Sequence, residues 1–194
     1  MNTSLTRAQI QSWLPWLVLF CICAALQLAG GYPVLRLELP PANMARLYTV
    51  LTCHLVHLTT RHWLYDSVAL LLIAGIFVHH YTWQTWLLTF CVSALSVSLG
   101  LLLFHRGLHS YAGLSGLLHG LFTMGCLLLY SQQPRLASVL GVLVLIKLLL
   151  EHFHGSLLMP SPGFTVASSA HAYGVIGGVL SWGSMLAWRA KYAA

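Results

Sequence analysis

Residues 67–105 contain no aspartate, glutamate, lysine or arginine. A stretch of that length facing water would need charges, whereas one facing lipid must exclude them, and it has room for two helices of about 20 residues. The rest of the chain has the same character. Fixed charges fall only at positions 7, 36, 38, 46, 61, 66, 106, 135, 147, 151, 189 and 191 of 194. With 58% hydrophobic residues, the apolar side chains exceed what one core of this size can bury, so lipid has to supply the rest of the interior. The net charge of +6 fits contact with anionic headgroups. No basic cluster is dense enough to grip the phosphates of a nucleic acid.

The gaps between charges place six spans. The first runs from about Trp13 to Gly30 and is expected to stay as a span, since its apolar run is too long for a signal peptide. A connection follows that carries Arg36, Glu38, Arg46, Arg61, Pro33, Pro40 and Pro41, expected to rest in the membrane interface. Spans two and three share the charge-free run and turn near His79, His80, Tyr81 and Thr82. Span four covers Ser115 to Tyr130, span five Arg135 to about Phe153, and span six about Val166 to Trp188. The expectation is an all-α membrane protein with six transmembrane helices and one domain, residues 1–194. The cysteines, Cys21, Cys23, Cys53, Cys91 and Cys126, lack CxxC spacing and read as small apolar residues, with neither a disulfide framework nor a metal site expected. The charges beside the spans tie between the two sides. Arg189 and Lys191, directly after span six, point to both termini lying in the cytoplasm.

In a six-span chain, helices two, four and six begin on the same side. The unusual polar residues gather at those three starts: His62 and Asp66, Ser115, and His171. Span four is about 24 Å long at 1.5 Å per residue, shorter than the roughly 30 Å of hydrocarbon, so its start is expected to sit below the surface. Gly107 and Gly113 give the approach its backbone freedom. Ser115, between Gly113 and Gly116, then lies at a helix N-terminus, where unpaired N–H groups favour a developing anion. A serine nucleophile needs a base, and His171 is the expected one. Gly116 and Gly120 on helix four, and Gly174 and Gly178 on helix six, form small-xxx-small faces able to pack closely in lipid and bring the two side chains together. Gly-x-Ser-Gly alone, or a glycine face alone, is more often a packing device. A histidine inside a span is costly and usually functional, and the conjunction carries the reading.

These residues carry a resemblance. Gly113-Leu114-Ser115-Gly116, the run Ala170-His171-Ala172-Tyr173-Gly174-Val175-Ile176-Gly177-Gly178, and His57 with His62 and position 66 resemble, in order and spacing, the motifs of the rhomboid intramembrane serine proteases. The resemblance implies a rhomboid-like bundle with a shortened fourth helix, Ser115 as nucleophile, His171 as general base, and His62 with the Ser115 backbone N–H as oxyanion donors. It implies no cofactor. Within the family, the small size, the Gly-Leu-Ser-Gly-Leu-Leu-His-Gly run and the Lys147 to Glu151 segment look most like a rhombosortase. That implies membrane-anchored substrates with a C-terminal Gly-Gly motif and a hydrophobic helix, and a bacterial inner-membrane location with the site facing the periplasm. Asp66 departs from the asparagine that the family often has. An ionised carboxylate cannot donate to an oxyanion, which leaves a protonated acid, or the favoured alternative of a charged one holding His62 protonated.

Other polar residues have simpler readings. His119, one turn after Ser115, reads as a hydrogen-bonding residue. Lys147 reads as the i,i+4 partner of Glu151 and not as the base of a Ser-Lys dyad. Glu151 is open to three roles: tuning a histidine, contacting a basic substrate tail, or neutralising Lys147. A zinc site from His54, His57, His62 and Asp66 would leave the serine motif without a purpose. The rival functions are a catalytically silent relative that escorts membrane helices, and a small transporter with a histidine proton path.

Overall fold

A computed structural model describes residues 7–39, 46–105, 108–154 and 168–192, and in it the charge-poor runs are helical. Pro40, Pro41, Arg106, Gly107, Val166 and the connection bearing Pro160, Pro162 and Gly163 lie outside the described residues. The helices are α1 (Arg7–Leu28), α2 (Tyr32–Leu35), α3 (Thr49–Thr52), α4 (Thr60–Phe77), α5 (Trp83–Phe104), α6 (Ser115–Tyr130), α7 (Pro134–His154) and α8 (Ser168–Tyr192). Two short strands, β1 (Leu37–Glu38) and β2 (Ser110–Tyr111), pair antiparallel, with Leu37 opposite Tyr111.

Local chemistry explains the helix boundaries. Thr59 caps α4 by accepting from the His62 N–H, and Thr82 with Thr85 forms a reciprocal capping box at the start of α5. Pro134 opens α7, where its missing N–H costs nothing. Residues 11–28 of α1, all of α5 and all of α7 are each long and apolar enough to cross a membrane. Helix α6 is apolar but has only 16 residues. Helices α4 and α8 are less apolar because they carry Arg61, His62 and Asp66 in one case and His171, Arg189 and Lys191 in the other.

Helix α6 is the hub, packed against α4, α5, α7 and α8, while α8 also packs along α5. Glycines make these approaches possible. A Cβ on Gly174 would collide with the Gly116 carbonyl, and one on Gly178 would come within 2.5 Å of the Gly120 carbonyl. Gly177 lies equally close to the Ser93 backbone of α5. Helix α7 packs differently. It touches α6 and α8, and its only buried residues are Ala137 and Glu151.

The connection between α1 and α4 is also packed. Cys53, His54, Val56 and His57 are buried in it, and α3 lies against α5. His54 contacts Ser98 Oγ and donates to the Ala94 carbonyl, both at 3.1 Å, and burial pushes its pKa down to about 4, leaving a neutral structural imidazole. This segment holds the approach to α6 through β1–β2 and a bond from the Gly113 N–H to the Cys53 carbonyl at 3.0 Å.

Gly174→Val is expected to lower the thermal unfolding midpoint in detergent, with a cost of about 1–3 kcal/mol or more from overpacking. Gly141→Ala, where a Cβ meets nothing within 4 Å, should leave the midpoint unchanged or slightly raised. Equal destabilisation by both would show that the α6–α8 contact is not the tight one.

Candidate active site

Ser115 is the first residue of α6 and His171 belongs to the first turn of α8. The close backbone approach of these helices sets the distance between their side chains. Ser115 Oγ lies 3.0 Å from His171 Nε2, and the other ring nitrogen, Nδ1, lies 2.7 Å from Glu151 Oε2. A carboxylate accepts, so Nδ1 carries the proton, and Nε2 is left to accept from the serine hydroxyl. The second Glu151 oxygen, Oε1, accepts from Lys147 Nζ at 2.6 Å. Four residues from three helices thus form one chain of hydrogen bonds.

His119 braces this chain from the side. Its Nδ1 donates to the Ser115 carbonyl at 2.7 Å, and its ring stacks on His171 with centroids 4.3 Å apart. It is a hydrogen-bonding residue, as read from its place one turn after Ser115.

On the opposite side, a single oxygen of Asp66 gathers four polar groups. Oδ2 accepts from the backbone N–H groups of Leu114 at 2.9 Å and Ser115 at 3.1 Å, lies 3.1 Å from His57 Nε2, and is 3.4 Å from His62 Nε2. Leu114 and Ser115 have no acceptor one turn earlier in their own helix, so this carboxyl does from α4 what a capping side chain would do locally. The Ser115 N–H, read from sequence as an oxyanion donor, thus donates to Asp66 in this structure. The His62 ring lies under Gly113, where a Cβ would stand 2.7 Å from His62 Cε1. Gly113 has φ +136°, so glycine is required there by backbone and by space.

The structure therefore brings Ser115, His171, His62 and Asp66 together around one cavity of about 260 Å³, whose wall also includes Lys147 and Glu151. Gly113 and Gly116 flank the serine, and Gly120, Gly174 and Gly178 lie in the α6–α8 contact. Of the contacts around the cavity, His57 on Asp66 escaped the sequence reading, while Glu151 on His171 selects one of the three roles left open for that acid, tuning a histidine, and names the histidine. The sequence also limits which acid a histidine of α8 can find. Glu151 is the only acidic residue after Asp66, so a histidine on α8 seeking a carboxylate from the C-terminal half had one choice.

A comparison with protein-family models matches residues 44–188 to the Rhomboid domain. The chain belongs to the rhomboid family. Rhomboid proteins are in general intramembrane serine proteases that act on membrane proteins in the bilayer, and the apolar helices here make this member a multi-pass membrane protein. No curated protein matched the chain in a sequence search. The family match covers every residue of α4, α6, α7 and α8 that lines the cavity.

For this rhomboid, Asp66→Ala is expected to cost about 1–3 kcal/mol by stranding two buried N–H donors, whereas Asp66→Asn keeps an acceptor oxygen and should retain most of that stability. Thermal unfolding in detergent measures both. Equal losses in the two variants would rule out the capping role.

Proposed function

We propose that this rhomboid is an intramembrane serine endopeptidase in which Ser115 is the nucleophile and His171 the general base. The observation that carries the reading is the 3.0 Å contact between Ser115 Oγ and His171 Nε2 at the edge of a cavity. Its catalytic use follows from ordinary acyl-transfer chemistry. Ser115 Oγ attacks a peptide carbonyl carbon while its proton passes to His171 Nε2. The tetrahedral intermediate collapses as Nε2 returns the proton to the leaving amine, and a water then cleaves the acyl-enzyme by the same route. With the Ser115 N–H engaged by Asp66, oxyanion support rests on His62, whose ring lines the cavity beside Gly113.

In this reading all six long helices cross the membrane within a single domain, residues 1–194. The 16-residue α6 brings Ser115 below the headgroups, both termini lie in the cytoplasm, and the cavity opens to the periplasm of a bacterial inner membrane. Substrates are proteins of the rhombosortase type, with a C-terminal Gly-Gly motif ahead of a hydrophobic helix. Glycine is a poor helix former and presents no side chain, so such a junction unwinds readily and offers an accessible backbone. The glycine-flanked Ser115 suits close approach of that backbone.

Reconstitution in liposomes with a peptide carrying Gly-Gly ahead of an apolar stretch, followed by mass analysis of the products, tests the proposal. Wild type should cut at or beside the glycine pair, and Ser115→Ala and His171→Ala should each lower turnover by at least about 10³-fold. Processing by both variants at the wild-type rate would end the protease reading. Binding of the peptide by wild type without any cleavage would favour the helix escort.

A further inference from the structure

We infer that Glu151 completes a Ser115–His171–Glu151 triad, with Lys147 holding the carboxylate in place. The inference rests on the proposed protease reading and adds to it a positioning residue supplied by α7. Its physical basis is the placement of Glu151 in α7, a 21-residue helix that buries little of its surface. Only Ala137 and Glu151 of α7 are buried, and an acid is the residue expected to be least welcome there.

Neutralising Lys147 does not explain that placement. The lysine side chain is one-third exposed and could reach toward the interface, whereas the Glu151 side chain is 4% exposed. If the pair existed only to cancel its own charges, two aliphatic residues would serve α7 at lower cost. The two carboxylate oxygens divide their work instead. Oε1 faces Lys147 Nζ and Oε2 faces His171 Nδ1. Four groups bear on the His171 ring: Ser115 at Nε2, Glu151 at Nδ1, the stacked His119, and Lys147 through Glu151.

The consequence concerns one proton. By accepting from Nδ1–H, Glu151 keeps the imidazole in the tautomer whose Nε2 lone pair points at the serine. When Ser115 Oγ bonds to the substrate carbonyl carbon, its proton moves to Nε2 and the ring becomes a cation. Glu151 opposes that charge without taking the proton, which Nε2 later delivers to the leaving amine. Lys147 fixes the rotamer of the carboxylate and balances it in the resting state.

Single-turnover and steady-state cleavage of the Gly-Gly peptide by reconstituted full-length protein tests the triad, with Ser115→Ala and His171→Ala run in parallel. Glu151→Gln should lower kcat by about 10²–10⁴-fold, with KM changed by less than about threefold, and should slow covalent labelling of Ser115 by a fluorophosphonate to a similar degree. Glu151→Asp should recover part of that loss. The double variant Lys147→Met with Glu151→Gln leaves no unpaired lysine in the span and guards against misfolding of the single variant. It should fold, and it should show the same low kcat. A double variant cleaving within about twofold of wild type would overturn the triad and reduce Glu151 to a counter-ion. That result would leave the protease reading standing so long as Ser115→Ala and His171→Ala remain inactive; wild-type cleavage by those two would instead remove the protease reading itself.

Discussion

The contact between the backbones of α6 and α8 is the constraint from which the rest of the site follows. In lipid there is little hydrophobic gain from pushing two apolar helices together, so their association depends on close packing. Gly116 against Gly174 and Gly120 against Gly178 remove the side chains that would hold the axes apart. A serine side chain is short, and only a close axis separation lets Ser115 Oγ reach His171 Nε2 at 3.0 Å. Replacing either glycine face with larger residues would act on the chemistry through distance, without touching a reacting atom.

The same contact would be of no use if the first turn of α6 frayed. That turn is held from three directions. The β1–β2 pairing and the Gly113–Cys53 bond fix the incoming strand, the Tyr111 hydroxyl donates to the Gly113 carbonyl, and Asp66 accepts from the first N–H groups. Apart from the local Tyr111 bond, the restraints come from segments distant in the chain, β1, Cys53 and Asp66, so Ser115 is positioned by tertiary structure and not by its own helix alone. A site supported in this way keeps its geometry before any ligand arrives.

How much of this could be read from the sequence depends on the range of the signal. The spacing of charges located α6 and α7 to within a residue or so, because apolar runs bounded by charges mark them. But α1 begins at Arg7 and α4 at Thr60, six and seven residues before the apolar runs read from the sequence, since a helix can continue past its apolar stretch through residues such as Arg61 and Asp66. Ser115 and His171 stood out because each sits in a glycine pattern with a helical period. The hydrogen bond between Leu114 N–H and Asp66 leaves no such mark, since it joins two helices through one oxygen. Nor does the short β1–β2 pairing, whose two-residue strands are below the length at which alternation is visible. Glu151 lay between these cases. Its pairing with Lys147 was legible from i,i+4 spacing, but its reach to His171 depends on how α7 and α8 face each other, which no local pattern encodes.

The chain has only three acidic residues, and all three are engaged. Glu38 accepts from Arg46 at 2.7 Å at the surface of the α1–α4 connection, while Asp66 and Glu151 both lie at the cavity. Burying a carboxyl group is costly unless donors converge on it, so the donors around Asp66 and Glu151 have little freedom to turn elsewhere. One acid therefore orders the backbone that presents Ser115, and the other orders the ring that faces it. In water the same groups would be free to exchange partners with solvent. Set within apolar helices, the cost of burial itself becomes the force that keeps serine and histidine aligned, and a chain that avoids charge almost everywhere has retained it where alignment matters most.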